Sequence, residues 1–160
     1  MQIHATCCAL DAGAGPAGVL LLGPPGSGKS DLALRLIDAG FSLVADDRVE
    51  IDGAGPAPVA SAPPALVGLI EVRGMGIIRL AHPLAAAPVS LAVSLAPAAV
   101  QERLPEPMTT ALAGHAVPTI PLDPTSASAV ARVRLALAVR AGGAQSRCGA
   151  LGDTAGIVAL

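Results

Sequence analysis

A glycine-rich loop between an apolar run and an amphipathic segment constrains the fold of this chain more than any other feature. Residues 23–30 read GPPGSGKS, which matches the pattern G-x-x-x-x-G-K-[ST]. The apolar run 18–22 before the loop predicts a buried strand, and residues 31–41 after it predict an amphipathic helix that stops at Gly40. A second strand is predicted over 42–45. This strand–loop–helix–strand order predicts an α/β fold in which the two strands are parallel and the crossover is right-handed.

The loop is typical of sites that bind the phosphate groups of a nucleotide. Its glycines let backbone N–H groups converge on phosphate oxygens, and the helix N-terminus adds partial positive charge. Lys29, the only lysine in the chain, is predicted to bridge the outer phosphates, and the Ser30 hydroxyl to ligate Mg²⁺. A chance glycine-rich turn is the alternative, but the flanking strand and helix favour the phosphate site. The predicted phosphate-binding residues are Gly23, Pro24, Pro25, Gly26, Ser27, Gly28, Lys29 and Ser30.

Charged residues end the next two apolar runs. Asp46 and Asp47 follow the second predicted strand directly, and Glu71 and Arg73 lie at the end of the third apolar run. Because the phosphate loop and the aspartate pair share one sheet edge, we expect them to surround a common ligand. Neighbouring side chains on an extended backbone point to opposite sides, so one carboxylate can face a metal while the other accepts a proton from a nucleophile. Glu71 is a candidate metal ligand, and Arg73 is a candidate stabiliser of negative charge.

The remainder of the chain predicts further strands. Residues 52–64 are rich in Gly, Pro, Ala and Ser and indicate an exposed loop. The alternation over 89–95 indicates a strand with one buried face. Residues 117–122 predict an edge strand, because Pro118 and Pro121 are incompatible with a central one.

At 160 residues the chain fits one domain. An Ala-, Val- and Leu-rich segment predicts a last helix that ends near Arg140, so we assign the domain to residues 1–140. The Gly-rich tail over 141–160 is predicted to be poorly ordered. Residues 153–156, DTAG, imitate the D-x-x-G of GTPases, but the chain has no N-K-x-D motif to read a base.

Composition excludes several classes of protein. Aromatic residues make up 1% of the chain and its net charge is −2 without a basic run, which argues against nucleic acid and acidic membranes as partners. Cys7, Cys8 and Cys148 include no C-x-x-C pair, so a disulfide framework or zinc site is not expected and a reducing cytoplasm is. Cys7 and Cys8 are expected to be buried. The mean hydropathy is +0.64, yet the longest window without Asp, Glu, Lys or Arg contains three prolines and predicts a strand, not a membrane-spanning helix.

Two stretches together resemble the catalytic domain of the HPr kinase/phosphorylase family. They are GPPGSGKSDLALRLIDAGFSLVADDRVEI and IEVRGMGII, and the resemblance extends over about residues 3–80. It implies a nucleotide-binding domain with a mixed sheet, similar to that of phosphoenolpyruvate carboxykinase. It also implies ATP and Mg²⁺ as cofactors and the phosphocarrier protein HPr as the protein substrate. Family members phosphorylate a serine of HPr, remove that phosphate with inorganic phosphate, and form oligomers.

The resemblance also implies roles for individual residues. The family's proton-accepting aspartate falls on Asp46, and the second acid, which supports Mg²⁺, falls on Asp47. Its catalytic lysine falls on Lys29, its metal-binding hydroxyl on Ser30 and its signature glutamate on Glu71. A catalytic histidine ahead of the phosphate-loop strand matches His4, which as a lone histidine would otherwise be taken as structural.

The chain departs from the family in three ways. It starts at the catalytic domain, as truncated proteobacterial versions do, and it lacks both the family's later arginine and the segment linked to dephosphorylation. We therefore expect phosphorolysis to be weak. A small-molecule P-loop kinase of the shikimate or gluconate type and a non-catalytic ATP-binding sensor are the alternative functions.

Overall fold

The structure, a computed structural model, describes residues 1–155, which contain eleven strands and two α-helices. The strands are β1 Gln2–His4, β2 Thr6–Asp11, β3 Pro16–Leu22, β4 Ser42–Ala45, β5 Arg48–Asp52, β6 Val59–Ser61, β7 Leu69–Val72, β8 Gly76–Arg79, β9 Ala86–Leu95, β10 Thr109–Leu112 and β11 His115–Leu122. The helices are α1 Lys29–Asp38 and α2 Ala129–Arg140. Nine strands form one mixed sheet, and β7 and β8 form a separate hairpin.

The strand order of the main sheet is β1-β5-β6-β9-β3-β2-β4, with β11 paired to β9 and β10 to β11. Strands β3 and β4 both run antiparallel to β2, which lies between them, so they are parallel to each other, as predicted. They are not neighbours, because β2 lies between them. Strand β2 was not predicted from the sequence. The mixed α/β fold that the sequence predicted is confirmed.

The sheet buries apolar side chains on both faces. Val19 and Leu21 pack with both helices on one face, whereas Leu20 belongs to a second cluster on the other face. Cys8 and Cys7 divide between the two clusters in the same way, and both are fully buried as predicted. This alternation follows from the two-residue period of a strand and places the phosphate-loop strand in the centre of the core.

Helix α1 has the stripe that the sequence predicted. Leu32, Ala33 and Leu36 are fully buried against the sheet. The helix ends at Asp38, and Gly40 two residues later has a φ of 103°, a left-handed conformation that glycine adopts without strain. The predicted stop is therefore confirmed.

Helix α2 confirms the last predicted helix. Val133 and Leu137 on it are buried against the sheet. Arg134 donates a hydrogen bond to the carbonyl of Ala39 and lies over the ring of Phe41, with its guanidinium carbon 5.9 Å from the ring centroid. These contacts hold the middle of α2 beside the C-terminal end of α1, away from the phosphate loop.

The structure corrects the prediction for residues 52–64 and confirms that for β11. The stretch 52–64 is not simply an exposed loop, because it contains β6, whose Ala60 is fully buried between β5 and β9. Its three residues are too few for an alternating pattern to show in the sequence. Strand β11 confirms the predicted edge strand: its first half pairs only with β10 and its second half only with β9.

The segment after α2 contacts the rest of the chain. The Met108 N–H donates to the carbonyl of Ala150, and the Ser146 N–H donates to the Thr154 hydroxyl. Residues 156–160 lie outside the described part, and so does the last glycine of the DTAG sequence. Poor order of the tail stays a prediction. Within residues 1–155, no helix has the length and apolar character needed to span a bilayer.

Candidate active site

The loop between β3 and α1 turns back on itself, and the Ser27 N–H donates to the Pro24 carbonyl at 3.1 Å. Gly26 and Gly28 have φ values of 78° and 95°, in the left-handed region that favours glycine. A Cβ at Gly28 would also approach the Pro124 ring to 3.3 Å. The Ser27 hydroxyl oxygen is buried and has no hydrogen-bond partner within residues 1–155. It packs against Gly23 and does not line the cleft described below, so the left-handed glycines before the helix N-terminus, not this hydroxyl, fit the binding of phosphate oxygens.

Lys29 begins α1 and reaches back over the loop. Its Nζ donates hydrogen bonds to the carbonyls of Gly23 at 2.7 Å and Pro24 at 3.0 Å. Burial lowers the pKa of this ammonium below its usual value, while Asp47 and Asp46 nearby act in the opposite direction. The positive charge of Lys29 therefore points at the concave side of the loop, where phosphate would bind.

Asp46 is buried and accepts three hydrogen bonds. Its Oδ1 accepts the hydroxyls of Thr6 at 2.9 Å and Ser30 at 2.8 Å, and its Oδ2 accepts the backbone N–H of Glu71 at 3.1 Å. Only 6% of the residue is exposed. This carboxylate thus joins the start of β2, the start of α1 and the β7 strand at one point behind the phosphate loop.

Asp47 has a different setting. Its φ of 69° is left-handed, so the backbone turns between β4 and β5 and directs this side chain away from that of Asp46. Its Oδ1 lies 3.1 Å from His4 Nδ1, and the two side chains are 62% and 46% exposed. The pairing of His4 with Arg48 in the β1–β5 register places the imidazole beside this turn. A carboxylate held by an imidazole at an open surface can accept or relay a proton.

The hairpin β7–β8 closes the site from the opposite side. Glu71 and Val72 end β7, and Arg73 follows at the turn, where Gly74 and Gly76 have φ values of 85° and 110°. Glu71 is fixed by its N–H bond to Asp46, so the hairpin is connected to the aspartate pair through the main chain. The glycines of the RGMG sequence therefore serve a tight turn.

These elements surround a cleft of about 640 Å³. The cleft is lined by His4, Thr6, Pro25, Gly26, Gly28, Lys29, Ser30, Asp31, Leu34, Asp47, Glu71, Val72 and Arg73. Sequence reasoning named most of these residues. Of the predicted catalytic and metal-binding residues, only Asp46 does not line the cleft, because it lies behind Thr6 and Ser30.

Four residues of the cleft were not predicted as site residues: Thr6, Asp31, Leu34 and Val72. Thr6 is fully buried in a strand that was not predicted. The one sequence feature that could have pointed to it is a hydroxyl within the apolar run around Cys7. Leu34 was assigned to no role, because it lies off the apolar stripe of α1, where it is 37% exposed beside the cleft.

The acidic residues suit Mg²⁺ bound together with phosphates. Within residues 1–155, no cluster of three or more His, Cys, Asp or Glu side chains could hold a metal ion by itself. Mg²⁺ does not need such a cluster, because it commonly binds one or two carboxylates, substrate phosphates and water. The Ser30 hydroxyl, whose proton is donated to Asp46, and the Glu71 carboxylate fit this donor set.

Comparisons with known proteins agree with this geometry. The HPr Serine kinase C-terminal domain family matches residues 3–96. HPr kinase/phosphorylase of Neisseria meningitidis is 48% identical over 66 residues, which are 41% of this chain and 21% of the relative. The Bordetella petrii protein of the same name is 48% identical over 62 residues, or 38% of this chain and 20% of the relative. The matched part thus spans only about a fifth of these curated relatives.

A solved structure extends the similarity to nearly the whole chain. The HPr(Ser) kinase/phosphatase of Coxiella burnetii superposes with a TM-score of 0.71 and 28% identity, covering 86% of this chain and 92% of that one. The fold is therefore shared beyond the segment that sequence identity detects. Since the family match covers more than half of its residues, this chain belongs to the HPr serine kinase C-terminal domain family.

Proposed function

We propose that this protein is an ATP- and Mg²⁺-dependent kinase that phosphorylates a serine of the phosphocarrier protein HPr. The observation that carries the proposal is the single cleft shared by the phosphate loop, the His4–Asp47 pair and the Glu71–Arg73 hairpin. Relatives of the family are named for the same reaction. Family membership does not favour a small-molecule kinase or a non-catalytic sensor. A cytoplasmic location stays a prediction from the cysteine pattern, and a homo-oligomer stays a prediction from the resemblance.

The γ-phosphoryl group would be held by the loop and by two cations. Lys29 would exchange its hydrogen bonds to the Gly23 and Pro24 carbonyls for bonds to phosphate oxygens. A hydrogen bond between the ammonium and a negatively charged phosphate oxygen is stronger than one to a neutral carbonyl. Arg73, across the cleft, would neutralise charge that develops on the transferred group. Ser30 and Glu71 would hold Mg²⁺, which when bound neutralises phosphate charge.

The proton of the attacking serine would pass to Asp47. As the serine oxygen forms its bond to the γ-phosphorus, the bond between that phosphorus and the bridging oxygen of ADP breaks, and the hydroxyl proton moves to a base. Asp47 is open to the cleft and oriented by His4, whereas Asp46 already accepts three hydrogen bonds. The geometry therefore favours the reverse of the roles that the resemblance implied, with Asp47 as the base and Asp46 behind the metal site.

The test is to incubate the protein with HPr, ATP and Mg²⁺ and to weigh HPr by intact mass spectrometry. We expect HPr to gain one phosphoryl group, and an HPr variant with alanine at the acceptor serine to gain none. A panel of small hydroxy acids under the same conditions is the parallel arm. Phosphorylation of a panel member without modification of HPr, or ATP binding without any turnover, would overturn the proposal.

A further inference from the structure

Thr6 stands out in the wall of the cleft because it is polar, fully buried and adjacent to the acidic centre. It is 0% exposed at the start of β2, and the residues around it from Ala5 to Ala9 are otherwise buried and apolar. Its hydroxyl donates to Asp46 Oδ1 at 2.9 Å. Threonine and valine have nearly the same shape, so packing alone does not require a hydroxyl at this position.

The hydrogen bond of Thr6 converges on the same oxygen as that of Ser30. Asp46 Oδ1 accepts from Thr6 at 2.9 Å and from Ser30 at 2.8 Å, which uses both of its lone pairs. The Ser30 proton is therefore directed at Asp46, and the lone pairs of the Ser30 oxygen are left for the cleft. The other oxygen of Asp46 accepts the Glu71 N–H, so one carboxylate orients both proposed magnesium ligands.

We propose that Thr6 is a positioning residue for the metal–nucleotide site. Its hydroxyl holds the Asp46 carboxylate in the one orientation that aims the Ser30 oxygen and the Glu71 strand at the metal. Without it, Oδ1 loses a buried donor and the carboxylate gains freedom to rotate, which weakens the alignment of Ser30. This inference rests on the proposed function, because it takes Ser30 and Glu71 as the residues that hold Mg²⁺.

The experiment compares three variants of the full chain. Thr6→Val removes the hydroxyl and keeps the shape, Thr6→Ser keeps the hydroxyl, and Thr119→Val is the matched control. Thr119 is 2% exposed, and within residues 1–155 its hydroxyl bonds to Val117 on β11 and Thr110 on β10, outside the cleft. The probe is Mn²⁺ with a non-hydrolysable ATP analogue, followed by electron paramagnetic resonance, and thermal unfolding without metal is measured in parallel.

We expect Thr6→Val to weaken Mn²⁺ affinity in the presence of the nucleotide by about 10- to 100-fold, the usual effect of removing an outer-sphere partner. Thr6→Ser should restore affinity to within about threefold of the unmodified protein. Thr119→Val should leave it unchanged even where its melting temperature falls. Unchanged Mn²⁺ affinity in Thr6→Val, or equal losses in Thr6→Val and Thr119→Val, would overturn the inference.

Two features keep the test decisive. If Thr6→Val does not fold, Thr6→Ala is compared with Thr6→Ser in the same assay, and equal Mn²⁺ affinity in these two variants would overturn the inference.

The assay measures binding, not transfer to HPr. Failure of HPr phosphorylation with a normal Thr6 effect on Mn²⁺ therefore contradicts the proposed substrate alone, and the converse result contradicts the role of Thr6 alone.

Discussion

Two adjacent aspartates illustrate how strongly one residue's surroundings decide its chemistry. Asp46 is buried and accepts three hydrogen bonds. Asp47 has a left-handed φ, and its side chain lines the cleft and contacts His4. A buried carboxylate that accepts three hydrogen bonds from separate parts of the chain is a structural link. One that is solvated and held by a single imidazole is free to receive a proton.

The first prediction separates these two residues. Asp47→Asn should lower kcat for HPr phosphorylation by about 10²- to 10⁴-fold, because it removes the base. Asparagine tolerates the left-handed φ of this position, so the free energy of unfolding should change by less than about 0.5 kcal/mol. The measurements are steady-state kinetics and urea unfolding. A near-normal rate for Asp47→Asn would show that another group takes the proton.

Asp46→Asn is the counterpart and should act on stability. The amide NH₂ that replaces one carboxylate oxygen must face a donor from Thr6, Ser30 or Glu71, which leaves buried donors unsatisfied. We expect a loss of about 1–3 kcal/mol in the free energy of unfolding. An Asp46→Asn protein with full stability and no kinase activity would instead support Asp46 as the base.

The second prediction concerns Lys29. Lys29→Ala should abolish phosphoryl transfer and weaken ATP binding, because the residue is the cleft's ammonium group and donates only to loop carbonyls. The fold should persist, since these partners stay accessible to water once the side chain is shortened. Calorimetric titration with ATP and circular dichroism are the measurements. Kinase activity equal to that of the unmodified protein would refute the assignment of the phosphate site.

At the scale of elements, the contact of β3 with β9 positions the phosphate loop. β3 delivers the loop and runs parallel to β9, which has a register shift opposite Gly18 and Val19. A Cβ at Gly18 would lie 2.7 Å from the Pro88 carbonyl oxygen, closer than real Cβ atoms come. The glycine is therefore required by the close approach of two backbones, in a strand whose next four residues, Val19 to Leu22, are large and apolar.

The third prediction tests this packing. Gly18→Ala should lower the free energy of unfolding by about 1–3 kcal/mol, since β9 must move to accept the methyl group. Gly143→Ala is the control, because a Cβ there would meet its nearest atom, the Ala138 carbonyl oxygen, at an ordinary 3.6 Å. Its effect should stay within about 0.5 kcal/mol. Equal urea midpoints for the two variants would contradict the account of β3–β9 packing.

At the scale of the whole molecule, the placement of cations bears on the phosphorolysis that the family resemblance implies. Phosphorolysis requires inorganic phosphate and a phosphoserine to be held together, and each carries close to two negative charges. Lys29 and Arg73 line the cleft, together with the imidazole of His4. Arg134 is held at the far end of α1, and Arg132 lines a separate cavity of about 280 Å³ with Arg103. Helix α2 therefore brings neither arginine to the cleft.

The fourth prediction follows from this distribution of charge. Phosphorolysis of serine-phosphorylated HPr should be slower than the kinase reaction by about 10³-fold, the scale of one missing arginine at a phosphoryl-transfer site. The assay supplies phosphorylated HPr and millimolar phosphate without ATP and follows pyrophosphate release, with a phosphate-free reaction as the control. Release at a rate comparable to kinase turnover would show that other residues replace the missing arginine.

The sequence by itself determined the parts of this protein that depend on neighbours along the chain. The phosphate loop, α1 with its glycine stop, β4, β9 and α2 all follow from local patterns of apolar residues, glycines and prolines, and the structure confirms each of them. The loop sequence also predicted phosphate-binding chemistry, because its glycines and lysine lie within eight consecutive residues.

Only the tertiary structure decided how the site is divided among its residues. Insertion of β2 between β3 and β4, the pairing of β1 with β5 and the docking of the β7–β8 hairpin join segments far apart in sequence, and no local pattern encodes such pairings. These contacts bring Thr6 to Asp46 and His4 to Asp47. The two aspartates are equivalent by spacing, and their different roles arise because burial and hydrogen-bond donors are properties of the folded environment.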